Sequence, residues 1–368
     1  MTAANLNRQD VTDVFTGLMR GDADVDLGPG FAMPRGTLKT YAVEAAGATD
    51  PASALDLLHR TAQTMSARVA TTRDDTVALL ATERSHFVVD TLDPRFWLLH
   101  TTSSARESHR FLRRLVWSQH RIDRCWFTWD FLLGLKGDDD AQWFKSDFEG
   151  RHLLPQDGVP ARKLRLQLEG ENVDELYGRL VALADYRNAT ALTALATRIR
   201  GATGNVHEFA HYSGRFVANG NSFHPHATFV ARALDRYRRV VERVEATCAI
   251  GADAKEAGGY QLTGRPLTIT FDRPVADMDY FLAGLFSCRE PFRLWATPRE
   301  VATDVYEAQV VDLHIGATFS MSISRKCITL ALPRETCGNT ALRLLTNLQH
   351  QFDARAAWDL AADGKRAA

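Results

Sequence analysis

Within Gly204–Phe216, GNVHEFAHYSGRF, the run HEFAH fits the H-E-x-x-H pattern of zinc peptidases. On a helix, His207 and His211 share one face and ligate zinc, while Glu208 activates the bound water. That chemistry requires a helix. Gly201 and Gly204 stand just upstream and Ser213-Gly214 follows, which leaves room for only about two turns. Zinc also needs a third protein ligand. His224, His226 and Glu242 lie downstream, none at a metzincin spacing. On a strand, His207, Phe209 and His211 point to one side. The stretch is therefore expected to be a strand, with no catalytic residue and no cofactor. The alternative is a zinc-dependent metallopeptidase, with His207 and His211 on the metal and Glu208 as the base.

Arginines form a second chemically suggestive set. Arg106, Arg110, Arg113 and Arg114 cluster in one amphipathic stretch, and Arg232, Arg236, Arg238, Arg239 and Arg243 in another. Such clusters contact phosphate or form a solvated outer face. With 44 Lys+Arg against 45 Asp+Glu, the net charge is -1, so no global basic field announces a nucleic-acid binder. The near-neutral balance favours the solvated face. The aromatics Trp126, Phe127, Trp129, Phe131, Trp143, Phe144 and Phe148 read as the core of an insert or as a stacking or partner-binding patch. Nucleotide-binding and serine-hydrolase motifs are absent. The five cysteines are odd in number and form no C-x-x-C pair, which points to reduced thiols. No run approaches the roughly 18 apolar residues of a membrane span, and the N-terminus has no apolar leader, so the chain is expected to be cytoplasmic.

The elements that position these groups follow a repeated order. Alternating strands open at Thr37 (TLKTYAVEA), Lys163 (KLRLQLEG) and Pro266 (PLTITFDRP). Each runs into an amphipathic helix. Asp50 and Pro51 start the first; Asn172 caps the second; Asp272 and Pro274 start the third. A β-rich stretch and a closing helix complete each copy. The fold class is thus α+β: three tandem β-α-β-meander-α segments, with curved antiparallel sheets carrying helices on one face. Residues 1–35 read as a helix and arm, 36–121 as the first segment and 122–160 as an aromatic and acidic insert. Residues 161–250 and 260–358 are the second and third segments, and 359–368 a flexible tail.

The middle segment resembles one repeat of the TATA-binding-protein family. Arg198-Ile199-Arg200, Ser213-Gly214-Arg215, Asn219-Gly220 and the stretch from Ala231, ARALDRYRRVV, stand where that family has RIR, SGK, TG and a basic closing helix. The best match spans residues 198–245. The resemblance implies a curved sheet that meets the minor groove of DNA, with helices on the far side meeting protein partners. Phe209, Phe216 and Asn219 then fall on the groove-facing strands: phenylalanine wedges a base step, and asparagine reads minor-groove acceptors. The leading reading is a non-catalytic protein whose curved sheets bind nucleic acid or a protein partner. The remaining alternative is a structural subunit of a complex. Neither a membrane nor a nucleotide cofactor is expected.

Overall fold

The computed structural model describes residues 3–360, apart from 23, 29, 137–140, 150–162, 184–185, 187–190 and 256–258. The acidic turn GDDD and the tail from residue 361 therefore lie outside the described residues. The architecture is mixed α+β, with large, mainly antiparallel sheets. The chain divides into two compact units. The first comprises Met1–Phe144, Leu168–Asp174 and Ala194–Tyr237; the second comprises Lys145–Gln167, Glu175–Thr193 and Arg238–Ala368.

In the first unit, β1 (Val25–Asp26) and β2 (Ala32–Met33) pair as a short ladder. The main strands that follow are β3 (Leu38–Ala45), β4 (Arg68–Thr71), β5 (Val77–Ala81), β6 (His86–Asp90), β7 (Phe96–Thr101) and β8 (Ile122–Arg124). Next come β9 (Ala141–Glu149), β10 (Lys163–Glu169) and β11 (Ala191–Gly201), each with residues in both units, then β12 (Gly204–His211) and β13 (Arg215–Gly220). The sheet order runs β11-β12-β13-β3-β7-β6-β5-β4, with β8 also on β3.

Period two explains how β3 is buried along its whole length. Tyr41, Val43 and Ala45 pack with Leu57 and Leu58 of the helix Pro51–Thr64 and Phe111, Leu112 and Leu115 of the helix Ala105–Ser118. Asp50 caps the first of these helices as the sequence suggests, accepting from the Ser53 N–H. Leu38 points the other way, into a second core with Phe15 and Leu18 of the helix Arg8–Arg20 and with Phe223. Helices on one face alone do not describe this sheet: the N-terminal helix and the start of the helix Phe223–Cys248 fill the opposite face. Leu6, Val11, Val14, Phe15 and Leu18 supply the apolar stripe that makes this possible.

The second unit holds β14 (Ala249–Ala254), β15 (Tyr260–Thr263), β16 (Leu267–Thr270), β17 (Leu294–Trp295), β18 (Arg299–Ala302), β19 (Val305–Asp312), β20 (Thr318–Ser324), β21 (Cys327–Pro333) and β22 (Ala357–Trp358). Its order is β15-β14-β21-β20-β19-β17, with β16 on β21 and β22, and β18 on β19. Leu267, Ile269, Ile328, Leu330, Phe319 and Met321 pack with Phe281 and Leu285 of the helix Met278–Leu285 and Leu345 and Leu348 of the helix Gly338–Gln351. The first of these helices begins later than Asp272 and Pro274 suggest, at the cap Asp277. The intervening backbone is committed elsewhere: the Phe271 and Val275 N–H groups donate to the carbonyls of Lys326 and Arg325.

The first and third segments share one strand order, in which the opening strand lies beside the last: β3 next to β7, and β16 next to β21. The middle segment departs from it. β13 pairs with β3, and β9, from the expected insert, stands between β10 and β11. The five cysteines are free thiols, with Cys125, Cys248 and Cys337 buried. Among the described residues no helix is long and apolar enough to cross a membrane.

Candidate anion-binding cleft

HEFAH lies on β12, paired on both sides, with His207 opposite Arg198 and Asn219, and His211 opposite Ala194 and Arg215. Alternation separates the motif. Val206, Glu208 and Ala210 are buried on one face; His207, Phe209 and His211 are half-buried on the other. His207 Nε2 accepts from Arg198 Nε at 3.2 Å, and His211 Nδ1 accepts from the Ser213 N–H at 3.3 Å. Glu208 is engaged elsewhere, so the structure does not bring the three motif residues to one point.

The buried carboxyl of Glu208 meets His226 Nδ1 at 2.7 Å. His226 Nε2 meets the Thr40 hydroxyl at 2.7 Å, and that hydroxyl meets His100 Nδ1 at 2.8 Å. Glu208, His226 and Thr40 are 0 % exposed, and the rings of Phe15 and Phe223 pack around His100. Burial pushes the Glu208 carboxyl well above its usual range and drops His226 and His100 to about 3. Both partners of the pair are thereby driven to their neutral forms. The carboxyl proton then donates to His226, His226 donates to Thr40, and Thr40 donates to His100. With every member sealed, this chain ties β12, β3 and β7 to the helix that carries His226.

The chemically open place lies on the other face. Arg106, His109, Arg110 and Arg113 project from the helix Ala105–Ser118, where spacings of three, four and seven put them on one side. Facing them are Tyr41, Arg124, and His211, Ser213 and Arg215 at the β12–β13 turn. Among the described residues they line a cleft of about 510 Å³ with five arginines, two histidines and no carboxylate. Arg215 is recessed. Its Nη1 donates to His109 Nε2 at 2.5 Å, while its buried Nε–H has no acceptor among the described residues. The electrostatics show the crowding of positive charge. Burial and then Arg215, Arg124 and Lys39 hold His109 at about 4. Burial and Arg215 hold the nearly buried Lys39 at about 8. Burial, with Arg124 adding to it, also lowers Arg215. Such a site gains free energy from an anion.

Gly214 sets the turn that delivers Ser213 and Arg215. Its φ is +70°, and a Cβ there would stand 2.6 Å from the Cys125 carbonyl oxygen and 2.9 Å from that of Ala42. The Ala42 N–H donates to the Gly214 carbonyl, and the Phe127 N–H to that of Tyr212. Gly214→Ala is expected to cost about 1–3 kcal/mol through left-handed strain and this clash. Denaturant melts of the two proteins measure it; an unchanged midpoint would show that the turn is not docked in this way.

A family description, MJECL33-like protein, matches residues 7–366. The chain belongs to the MJECL33-like family. It is similar to the uncharacterized protein MJECL33 of Methanocaldococcus jannaschii, 26% identical over 337 residues that cover 77% of this chain and 78% of that protein. No solved structure matches. Neither name states an activity.

In this MJECL33-like protein the groove-facing candidates separate. Phe216 is 1% exposed, packed against Phe127 and Phe229, and cannot wedge a base step. Phe209 is half-buried, with Trp143 edge-on at 5.6 Å, and Asn219 is exposed on the same sheet face as His207. Part of the aromatic insert is core: Phe127 and Phe131 stack on each other and meet Tyr237. Arg215 and Arg124 were not singled out as site residues. The Arg106–Arg110–Arg113 ladder is the available signal, but of the residues it faces Tyr41 precedes the helix, Arg124 lies just beyond it, and His211, Ser213 and Arg215 come about 100 positions later.

Proposed function

We propose that this protein binds nucleic acid by holding phosphate groups in the cleft of the first unit. The observation that carries this reading is the convergence, among the described residues, of five arginines on a hollow whose lining includes no carboxylate. Arg106, Arg110 and Arg113 are exposed and bridge to no acid among the described residues, so their guanidinium groups need not leave another partner. Phe209, His207 and Asn219 extend the same sheet face and supply one ring and polar edges. The reading does not depend on the TATA-binding-protein likeness, whose segment, residues 198–245, departs from the strand order of the other two. The sheet face opposite the helices of the first segment is filled.

Fluorescence anisotropy with labelled duplex and single-stranded oligonucleotides tests this. Binding is expected at about 50 mM salt and should weaken by about 200 mM roughly 40- to 150-fold for the duplex and roughly 20- to 50-fold for the single strand, as three or four neutralised phosphates require. No binding of either form at the lower salt would remove the nucleic-acid reading and leave the protein-partner one.

A further inference from the structure

We infer that the cleft selects a terminal phosphate monoester of a nucleic-acid strand over the internal diester backbone. This rests on the nucleic-acid reading above. The first argument is shape. Arg106 to Arg113 spans about 10 Å of helix axis, and the opposing residues His211, Ser213 and Arg215 close the other side. The guanidinium groups thus surround a hollow of about 510 Å³ instead of tracking along a stripe. A strand end enters such a hollow. The convex wall of a duplex meets only its rim.

The second argument is the recessed donor. Arg215 uses Nη1 on His109, which leaves the edge formed by Nε–H and Nη2–H. That edge is the fork that grips two oxygens of one phosphate. Its Nε–H is unpaired among the described residues and shielded from solvent, so a small turn of the guanidinium toward the hollow brings this edge to a phosphate. An internal diester has only two free oxygens and carries its chain on both sides. A monoester presents three oxygens and has a chain on one side only.

The third argument is charge. A phosphate monoester carries about −1.5 to −2 at neutral pH, and a diester carries a single charge. The arginines of the lining face one another across the hollow, and burial first and then these neighbouring charges hold Lys39 and His109 below their ordinary values. A carboxylate-free lining of this kind gains most from the ligand with the highest local charge.

The test uses the full chain and three labelled single strands of one sequence, about a dozen nucleotides long: 5′-phosphorylated, 3′-phosphorylated, and without a terminal phosphate. At least one phosphorylated end is expected to bind about tenfold or more tightly than the unphosphorylated strand, the scale of one added charge-assisted fork. The two phosphorylated arms identify which end is taken. Arg215→Lys keeps the charge and loses the fork; it should reduce the preference, read as the ratio of the two affinities within that variant, to about twofold. Equal affinity for all three strands overturns this inference while leaving phosphate binding intact. No binding of any strand removes the underlying reading, and this inference with it.

Discussion

Glu208→Ala is expected to lower stability by about 1–3 kcal/mol, the scale of leaving a buried neutral group without its hydrogen-bond partner. The carboxyl is fully enclosed, and its removal leaves His226 Nδ1 without its 2.7 Å partner. The loss propagates, because His226 also positions Thr40 and through it His100. A smaller cost, about 1 kcal/mol, is expected for Glu208→Gln, whose amide still offers His226 a donor. Urea melts of the three proteins separate these outcomes; equal midpoints for wild type and Glu208→Ala would show that the chain of contacts contributes nothing. The same network sets a pH dependence. His226 and His100 are held at about 3 in the folded state, below their ordinary 6.5. Above pH 6.5 neither histidine costs stability. As pH falls from there toward 3, the unfolded chain takes up protons that the folded chain refuses, and stability drops. Raised Glu208 acts in the opposite sense. Its proton is retained in the folded state, so its share of stability is greatest at low pH and declines as pH rises above its unfolded value. Two histidines against one carboxyl make acid the destabilising direction between pH 6.5 and about 4. Glu208→Gln removes the carboxyl's contribution and should leave the acid loss in place.

Reversing charge in the cleft is expected to have the largest effect on binding. Arg110→Glu with Arg113→Glu should weaken oligonucleotide binding about 100-fold or more at low salt, since two phosphate contacts are lost and two repulsions introduced. Both side chains are exposed and bridge to no acid among the described residues, so thermal stability should hold or rise slightly as crowded positive charge is relieved. Unchanged affinity in a variant that melts normally would place the binding surface elsewhere.

Local physics made much of this fold legible in the sequence. Gly201, Gly204 and Gly214 deny HEFAH a helix, and the stretch is a strand. Asp50-Pro51 marks a helix start, and Leu267 and Ile269 alternate into a core. The order of elements in the first and third segments also follows from periodicity and caps. What escaped was long-range. Glu208 figures in the sequence only as the base of the zinc alternative, and nothing local says that it turns inward to meet His226. Phe216 and Asn219 look equivalent as strand residues, yet they are three apart and alternation sends them to opposite faces. Residues 1–35 read as a helix and arm, and nothing local says that the stripe Leu6, Val11, Phe15 and Leu18 covers a sheet face. The arginine ladder of the helix Ala105–Ser118 could be read, whereas its convergence with Arg215 depends on the pairing of β13 with β3.

The most direct test compares arginines of equal charge and different position. Anisotropy with one short oligonucleotide, across salt concentrations, is measured for wild type, Arg110→Ala, Arg215→Ala and Arg232→Ala. Arg110 and Arg215 line the cleft, and Arg232 is exposed on the helix Phe223–Cys248 and does not. The cleft account predicts about tenfold weaker binding for each of the first two, with a salt slope smaller by about one, and no change for Arg232→Ala. Equal losses in all three, or full binding by Arg110→Ala and Arg215→Ala, would contradict it.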